Sequence, residues 1–471
     1  MKSSPGQDKA FPWKFILPLY IGSTLNPINS SLIATALVPI AADVHVSVGL
    51  TAALVAAVYL TSAIGQPVAG KLAEVFGPRR VFSIGIIFIF LAGFIGGLGH
   101  SFAALVLARV FIGLGSSSAY PSAMLLIKRR AAQARLTKPP GGVLGGLAIT
   151  GMAVAAVGLP LGGLIVGTVG WRGTFLINIP VALIAFALTI LWIPRDEPVK
   201  MKGGFLEVMS RIDVGGILLF GASITSLLYF LLSLPLFRWV VLGIAVVASI
   251  GFVFRELRAA HPFIDLRLLW SNLPLTRTYL RFALSSLVVY GVMYGLSQWF
   301  EAGRNLTPGE TGLALLPMAV MAPIISFPVS RRNLVRGPLV LTGATLILGS
   351  IGVLVLDSHS SIFLMALVTF VFGISMGLFT VGNQTALYTQ APENLTGTAA
   401  GLVRTFGYLG SIGSSALTGM VFGARVDDGG LHTIAIILIA VSILVLFMTV
   451  ADRKLRSPQP SPVSEDHRRP Q

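Results

Sequence analysis

Long apolar runs separated by short polar segments repeat along the whole chain. Each run has about 20 residues or more, the length that a helix needs to cross a hydrocarbon core of roughly 30 Å. Only helices and closed barrels satisfy their backbone hydrogen bonds in lipid, so the pattern predicts membrane-spanning helices. The fourteen predicted spans are residues 15–42, 50–69, 81–99, 103–127, 142–166, 174–193, 212–233, 237–254, 279–301, 310–329, 337–356, 361–382, 397–423 and 431–450.

The composition supports an all-α polytopic membrane protein embedded in a lipid bilayer. Apolar residues make up 54% of the chain, charged residues only 11%, and the mean hydropathy is +0.84. A soluble protein carries about 25% charged residues, so this chain has too few to cover a surface in water. The absence of cysteine excludes disulfides, a thiolate nucleophile and a cysteine metal site.

The basic residues predict the orientation of the chain. Most of the 34 Lys and Arg residues lie in both tails and in the segments 70–80, 128–138, 195–211, 255–277 and 331–336, which all fall on one side of the predicted membrane. The positive-inside rule places these segments and both termini in the cytoplasm. Because the net charge of +16 is dispersed over short loops, we expect no nucleic-acid partner.

The spans are grouped six, two and six. The predicted units are a cytoplasmic tail (1–12), an N-terminal six-helix half (13–193), a linker (194–211), two additional helices (212–254), a second linker (255–277), a C-terminal six-helix half (278–450) and a disordered cytoplasmic tail (451–471). Gly77-Pro78 follows the second span, and Gly337-Pro338 follows the tenth. This echo at matching positions favours duplicated halves related by a pseudo-twofold axis.

The loop after the second span carries Gly70, Glu74, Gly77, Arg79 and Arg80. The spacing of glycine, acid, glycine and paired basic residues resembles the characteristic loop of the major facilitator superfamily. Glu74 can pair with Arg79 or Arg80, or dock at the N-terminus of the thirteenth span, where the helix dipole favours an anion. Such a latch would hold the two halves closed on the cytoplasmic side. The alternative is a basic loop that only sets topology.

Two further motifs narrow the resemblance. Gly158, Pro160, Gly162 and Gly163 in the fifth span are similar to the bent, glycine-faced motif of facilitator antiporters, with the proline displaced by one position. Residues 171–180, Trp-Arg-Gly-Thr-Phe-Leu-Ile-Asn-Ile-Pro, closely resemble a hallmark of the fourteen-helix drug:proton antiporter family, the EmrB/QacA type. This resemblance implies the major facilitator fold and proton-driven export of drugs or other amphipathic compounds.

The first span departs from that family. Asn29 stands where its members usually carry an acid, and an asparagine side chain does not titrate. None of the 18 acidic residues lies near the middle of a predicted span, and Glu301, at the outer end of the ninth, is the nearest candidate for proton coupling. Coupling through Glu301, through Glu74, through a proton on the substrate, or no coupling at all remain open.

Polar side chains recur at helical spacing within several spans and predict a central cavity, because lipid tolerates such stripes poorly. The residues predicted to line it are Asn26, Asn29, Ser30, Tyr59, Gln66, Arg109, Ser116, Tyr120, Tyr290, Tyr294 and Gln298. Arg109 either ties helices together through backbone carbonyls and Asn29 or attracts an anionic substrate group. Arg404, in the thirteenth span, is expected to bond helix carbonyls.

The predicted function is a secondary exporter of small amphipathic molecules that works by alternating access. The alternative is an importer or uniporter of organic anions without proton coupling at the membrane midplane. An enzyme is disfavoured because no nucleophile–base pair or metal cluster falls within a span, and ATP drive is disfavoured because no phosphate-binding loop is present. We expect a monomer that binds no cofactor or metal. If transport is coupled, the proton gradient drives it. Whether a periplasmic adaptor binds the protein is left open.

Overall fold

The structure is a computed structural model that describes residues 11–136, 141–196, 213–233, 236–260, 262–264, 266–331, 334–391, 396–423, 425–452 and 455. The described part is helical and contains no strand. The helices are α1 (Trp13–Leu32), α2 (Leu37–Asp43), α3 (Ala52–Phe76), α4 (Pro78–Leu98), α5 (Phe102–Gln133), α6 (Gly141–Val169), α7 (Gly173–Leu176), α8 (Asn178–Trp192), α9 (Val214–Leu232), α10 (Trp239–Arg258), α11 (Leu266–Ser271), α12 (Leu273–Gln298), α13 (Pro308–Arg331), α14 (Arg336–Val355), α15 (Ile362–Gln390), α16 (Thr396–Val421) and α17 (Asp428–Ala451). A π-helical turn, Trp299–Gly303, continues α12.

Most of these helices have the length and apolarity of membrane spans. Within the described residues, eleven qualify, and twelve qualify if α1 and α2, which meet at 61° across a short break, form one span. The predicted spans 142–166 and 397–423 coincide with α6 and α16, which are outside that group. The chain is therefore a multi-pass membrane protein, while the number fourteen and the six-two-six grouping remain predictions.

Several helices extend beyond their predicted spans. Helix α3 continues to Phe76, α5 to Gln133 and α15 to Gln390, each a turn or more past the predicted end. The second predicted linker (255–277) is also largely helical, since it contains the end of α10, all of α11 and the start of α12. Charged side chains end a hydrophobic run but do not end a helix, because Lys, Arg and Glu are good helix formers in water.

Two sets of helices pack around a common centre. We call α1–α8 the N-terminal half and α12–α17 the C-terminal half. Within the first, α5 packs on α3 and α4, and α6 packs on α1; within the second, α12 packs on α16, and α13 packs on α15. The halves meet where α6 contacts α13 and α3 contacts α16. Helices α9 and α10 pack on each other, and α9 touches α3 and α16.

Asp213 fixes the start of α9 against α10. Its carboxylate accepts hydrogen bonds from Gly216 N–H (3.1 Å) and from Arg255 Nε (2.7 Å), and Glu256 accepts one from Ile264 N–H (2.9 Å). Burial alone would raise the pKa of Asp213, but the hydrogen bonds with Gly216, Arg255 and Glu256 and the positive charge of Arg255 together hold the pKa below its ordinary value. The additional helices are thereby tied to the segment that leads into α12.

The remaining predicted units lie largely outside the described residues. Residues 1–10, 197–212 and 456–471 contain most of the two predicted tails and most of the first linker, so those assignments remain predictions.

Candidate functional site

A cavity of about 280 Å³ lies between the N-terminal and C-terminal halves. Its walls come from α1, α3, α5 and α6 on one side and from α12, α13, α15 and α16 on the other. The structure places these predicted residues on the wall: Asn26, Ser30, Tyr59, Gln66, Ser116, Tyr120 and Tyr290. Apolar contributors include Phe282, Phe379, Met293 and Met376.

Hydrogen bonds between side chains organise the polar part of the wall. Asn26 Nδ2 lies 3.0 Å from both Ser62 Oγ and Ser116 Oγ, which joins α1 to α3 and α5. Gln66 Nε2 donates to the hydroxyl of Tyr408 (2.7 Å) and so connects α3 with α16 across the two halves. Tyr408 was not among the predicted cavity residues. Its spacing of four residues from Arg404 could have identified it, because both then lie on one helix face.

Tyrosines from three helices form a cluster at one end of the cavity. Tyr294 donates its hydroxyl proton to Ser30 O (3.0 Å). The hydroxyl oxygens of Tyr59 and Tyr294 lie 2.8 Å apart. Because the proton of Tyr294 is already used, Tyr59 is the donor in this second bond. The ring of Tyr59 also lies 5.5 Å from that of Tyr290 and 5.8 Å from that of Tyr408, between centroids. Tyr294 itself is buried behind the wall, so it supports the cavity and does not line it as predicted.

Arg109 also lies off the cavity, contrary to its predicted place on the wall. It is 1% exposed, and it donates from Nε to Leu54 O (2.9 Å) and from Nη1 to Asn29 O (3.1 Å). Burial of a guanidinium requires such partners, and two backbone carbonyls supply them to Nε and Nη1, whereas Nη2 has no hydrogen-bond partner among the described residues. Of the two interpretations of Arg109, this geometry matches the one in which it ties α1, α3 and α5 together.

Asn29 is likewise buried in the helix interface and does not line the cavity. Its amide NH₂ donates to Leu25 O (2.9 Å) and to Asn178 Oδ1 (2.7 Å), and its own Oδ1 accepts from Asn178 Nδ2 (2.9 Å). An ionised aspartate would replace the donating NH₂ group with a second acceptor oxygen, opposite Leu25 O and Asn178 Oδ1, which also accept. The local geometry therefore suits asparagine, which has both donors and an acceptor.

Arg404 lies on the cavity wall, although it was expected to bond helix carbonyls. Its guanidinium carbon is 3.5 Å from the centroid of the Tyr120 ring, so α16 contacts α5 through a cation–π interaction. Arg404, Tyr408 and Ser411 recur at spacings of four and three residues and all line the cavity. One face of α16 is thus exposed to whatever occupies this space.

Glu301 lies in the π-helical turn and is only 6% exposed. Neither of its carboxyl oxygens has a hydrogen-bond partner among the described residues, and the same holds for both amide atoms of Gln298, one turn earlier. Gln298 is therefore a second correction to the predicted wall, since it is buried in the helix interface away from the cavity. Insertion of one residue into a helix as a π turn often marks a functional position.

Other titratable groups at this end of the C-terminal half are bound elsewhere. They lie in α13, in α17 and in the loop after the π turn. Hydrogen bonds join Glu310 to Thr307, Asp428 to Trp299 and Ser358, His432 to Leu356, and Arg304 to Ser360. No ion pair with Glu301 is found in the described part of the chain, so its carboxyl group sits in a site with no compensating charge.

The end of the bundle beyond the tyrosine cluster is closed by contacts that we call the seal. Ser297 Oγ donates to Ala34 O (2.6 Å), and Gly49 packs directly on Gly423. At Gly163 a Cβ atom would lie 2.4 Å from Pro308 O, so only glycine permits α6 to approach α13 this closely. Gly158 and Gly162 of the same predicted motif pack instead on α1, and Pro160 lies inside α6.

The sequence matches the profile of the Major Facilitator Superfamily over residues 19–415. The chain belongs to this superfamily.

Relatives in the superfamily include transporters with and without an assigned role. The uncharacterized MFS-type transporter YwoD of Bacillus subtilis (strain 168) is 32% identical over 93% of this chain and 96% of its own length. The tetracenomycin C resistance and export protein of Streptomyces glaucescens is 30% identical, covering 88% of this chain and 77% of its own. The multidrug resistance protein Stp of Mycobacterium tuberculosis is 27% identical over 76% of this chain and 66% of its own.

Solved structures of other transporters share the fold. The peptide transporter POT in complex with alafosfalin superposes with a TM-score of 0.66 and 14% identity, covering 94% of this chain and 95% of its own. The nucleoside transporter NupG superposes with a TM-score of 0.62, at 14% identity over 93% and 99% of the two chains. At this identity the likeness establishes the major facilitator fold and nothing about the substrate.

The superfamily loop at residues 70–80 differs from its predicted form. Gly70 and Glu74 belong to α3, and the connection between α3 and α4 is the single residue Gly77. The φ of Gly77 is 98°, a backbone conformation that favours glycine. Glu74 is exposed and makes no ion pair with Arg79 or Arg80, both of which are described. The residues just before α16 lie outside the described part, so docking of Glu74 there remains a prediction.

Asp196, which follows α8, supplies the acid at this loop instead. Its carboxylate accepts from Arg79 N–H (3.3 Å) and Arg80 N–H (2.9 Å) at the start of α4, and it lies 3.7 Å from Arg129 Nη1. An anion at a helix N-terminus is favoured by the dipole and by the free N–H groups. Sequence reasoning missed Asp196 because it lies about 120 residues along the chain from the loop, in a predicted linker.

Proposed function

We propose that this chain is a secondary exporter of drugs or other small amphipathic molecules that works by alternating access. The observation that carries the proposal is the cavity between the two halves, whose wall combines aromatic rings, Met side chains and hydroxyl and amide groups. Ligand sites in proteins are typically apolar cavities with a few placed polar groups. The drug-resistance and export roles named for relatives support the same proposal.

The finer assignments belong to this proposal as well. The distribution of basic residues supports fourteen spans grouped six, two and six with cytoplasmic termini. Membership of the EmrB/QacA type rests on the resemblance of residues 171–180, and a bacterial inner-membrane location fits the bacterial relatives. With that orientation the seal lies on the outer side, and the cavity lies towards the cytoplasm. The molecule is then closed on its outer side, as an inward-facing state requires. We keep a monomeric state without cofactor as the working assumption.

We propose that Glu301 takes up the coupling proton. A carboxyl group without partners in a dry site is stable when neutral, because an unpaired buried charge is costly. Opening of the seal would admit water to the π turn and permit ionisation, whereas closure would require the neutral acid. Proton uptake from the outer side would then accompany closure of the seal, and binding of substrate would displace that proton through the cavity to the cytoplasm before the seal reopens on the ionised acid.

Transport in reconstituted vesicles tests the exporter proposal. Purified protein in liposomes with an acidic lumen should accumulate 8-anilinonaphthalene-1-sulfonate from the bath above the level of protein-free liposomes, and nigericin should abolish the accumulation. No accumulation under any gradient would contradict export. Accumulation that persists after nigericin would reject proton coupling and leave export intact.

Replacement of Glu301 tests the coupling site in the same vesicles. Glu301→Gln keeps the size of the side chain and removes its ionisation, so gradient-driven accumulation should fall to the level of protein-free liposomes. Glu310→Gln, a change at an exposed carboxylate at the same end of the bundle, should accumulate dye as the wild type does. Undiminished gradient dependence in Glu301→Gln would remove Glu301 from the coupling mechanism.

An importer or uniporter of organic anions is the second candidate, and the position of Arg404 favours it. A cationic side chain on the cavity wall attracts an anion whichever way the substrate moves. The response of dye movement to the pH gradient distinguishes the exporter from the uniporter. Movement of the dye down its own gradient only, with no response to an imposed pH gradient, would favour the uniporter.

A further inference from the structure

The guanidinium of Arg404 is placed to bind a ligand in the cavity. Its carbon lies 3.5 Å from the centroid of the Tyr120 ring, so the planar group uses a face for this contact. A guanidinium carries five N–H donors along its edges, and a stacked face does not use them; one is engaged by the hydroxyl of Tyr408, which also lines the cavity. Arg404 is also only partly buried, since the cavity exposes it.

The charges around the cavity are positive. Among the described lining residues, Arg404 carries the only full charge, and none of them is acidic. Arg109, behind the wall, bonds two neutral carbonyls and forms no ion pair with a described carboxylate. Because a poorly solvated space screens charge weakly, both arginines favour an anion in the cavity and disfavour a cation.

Aromatic rings form part of the rest of the wall. The rings of Tyr59 and Tyr408 lie 5.8 Å apart, and on the C-terminal half the rings of Phe282 and Phe379 lie 5.2 Å apart, between centroids. All four residues line the cavity. Aromatic side chains bind aromatic ligands by stacking and edge-to-face contacts.

We propose that the cavity binds aromatic monoanions, such as aromatic carboxylates, phenolates or sulfonates, and that Arg404 holds the anionic group while the tyrosine and phenylalanine rings hold the aromatic body. The inference rests on the proposed exporter function and names its substrate class. It also moves the anion-binding role from Arg109, which is occupied by backbone carbonyls, to Arg404.

Binding of a matched pair of ligands tests the proposal without any transport step. Naphthalene-2-carboxylate and naphthalene-2-carboxamide differ chiefly in charge, and their affinities can be measured from the ligand-dependent Tm of the purified full chain in a neutral detergent. For the wild type we expect the carboxylate to bind about 10-fold tighter or more, the gain typical of a charge-assisted hydrogen bond. Arg404→Gln should abolish this preference and leave carboxamide binding unchanged.

Two variants make the result specific. Arg404→Lys keeps the charge and should retain a preference for the carboxylate. Arg238→Gln removes an exposed arginine that also lies over a tyrosine ring, 5.3 Å from the centroid of Tyr229, and should bind both ligands as the wild type does. If Arg404→Gln does not fold, Arg404→Met, which keeps an unbranched side chain without a charge, replaces it in the same comparison.

Equal affinity of the wild type for the two naphthalenes would overturn the proposal, as would a carboxylate preference that survives in Arg404→Gln. Because binding is measured without a gradient, either result leaves the exporter proposal standing. Conversely, preferential carboxylate binding together with no vesicle transport would count against export alone.

Discussion

Asn29 and Asn178 are joined by two reciprocal hydrogen bonds between their side-chain amides, at 2.7 and 2.9 Å. Both residues are buried, so the pair links α1 to α8 in a place that water does not reach. Such a pair stabilises the interface chiefly because the loss of one partner leaves the other unsatisfied.

A double-mutant cycle at this pair should show strong coupling. Asn29→Ala and Asn178→Ala should each destabilise the protein by about 1–3 kcal/mol, because each leaves a buried amide without its partner. The double variant should cost less than the sum of the two by about 1 kcal/mol. Unfolding measured in detergent for the four proteins gives the comparison. Strictly additive losses would show that the two amides do not act as a pair.

The polar stripes along the spans predicted several residues of the cavity wall but failed at the two arginines. Arg109 and Arg404 both lie inside apolar runs, and the sequence does not show how far each helix is rotated relative to its neighbours. Arg109 turns to the carbonyls of α1 and α3, whereas Arg404 turns to Tyr120 and the cavity. Contacts between helices decide this rotation, and residue spacing within one helix does not contain them.

At the scale of elements, the close approach of α6 to α13 depends on a single glycine. Gly163→Val should hinder closure of the seal, because its side chain would meet the backbone of Pro308. Overpacking of this kind costs about 1–3 kcal/mol, which would shift the ratio of closed to open seal about 5- to 150-fold. We expect the rate of dye accumulation in vesicles to fall accordingly.

Gly167 offers a matched control on the next turn of α6. A Cβ atom at Gly167 would meet nothing within 4 Å, so Gly167→Val should transport dye like the wild type. Similar losses of transport in both variants would show that helix propensity, and not the contact with Pro308, explains the effect.

Helix lengths show what sequence periodicity captures at this scale. The apolar runs located the helices, but they ended α3 before Gly70 and Glu74, which the structure places within it. Hydrophobicity marks the part of a helix that meets lipid, whereas its end is set by residues such as Gly77, whose φ is positive. Asp196, which binds the backbone of this loop, could not be predicted from local sequence because tertiary packing brings the end of α8 next to the start of α4.

At the scale of the whole molecule, the two halves enclose the cavity and are joined both at the seal and along the cavity wall, where Gln66 bonds Tyr408. Tyr59, Tyr294 and Ser30 connect the halves just above the cavity, and Ser297 and Gly163 connect them further out. The contacts of the seal are hydrogen bonds and close backbone packing. Rocking of one half against the other can break them together. Alternating access requires that the opposite end closes as the seal opens.

The chain has no cysteine, so introduced pairs can be spin-labelled without background. Cysteines replacing Ser47 and Arg425 report across the seal, and cysteines replacing Lys128 and Thr389 report across the other end; all four positions are exposed. Distance distributions measured by electron–electron double resonance in vesicles, with and without naphthalene-2-carboxylate and over a range of pH, test alternating access directly. The account predicts that conditions which lengthen the seal pair shorten the other pair. Distances that lengthen together at both ends, or a seal pair that never changes while dye is exported, would contradict it.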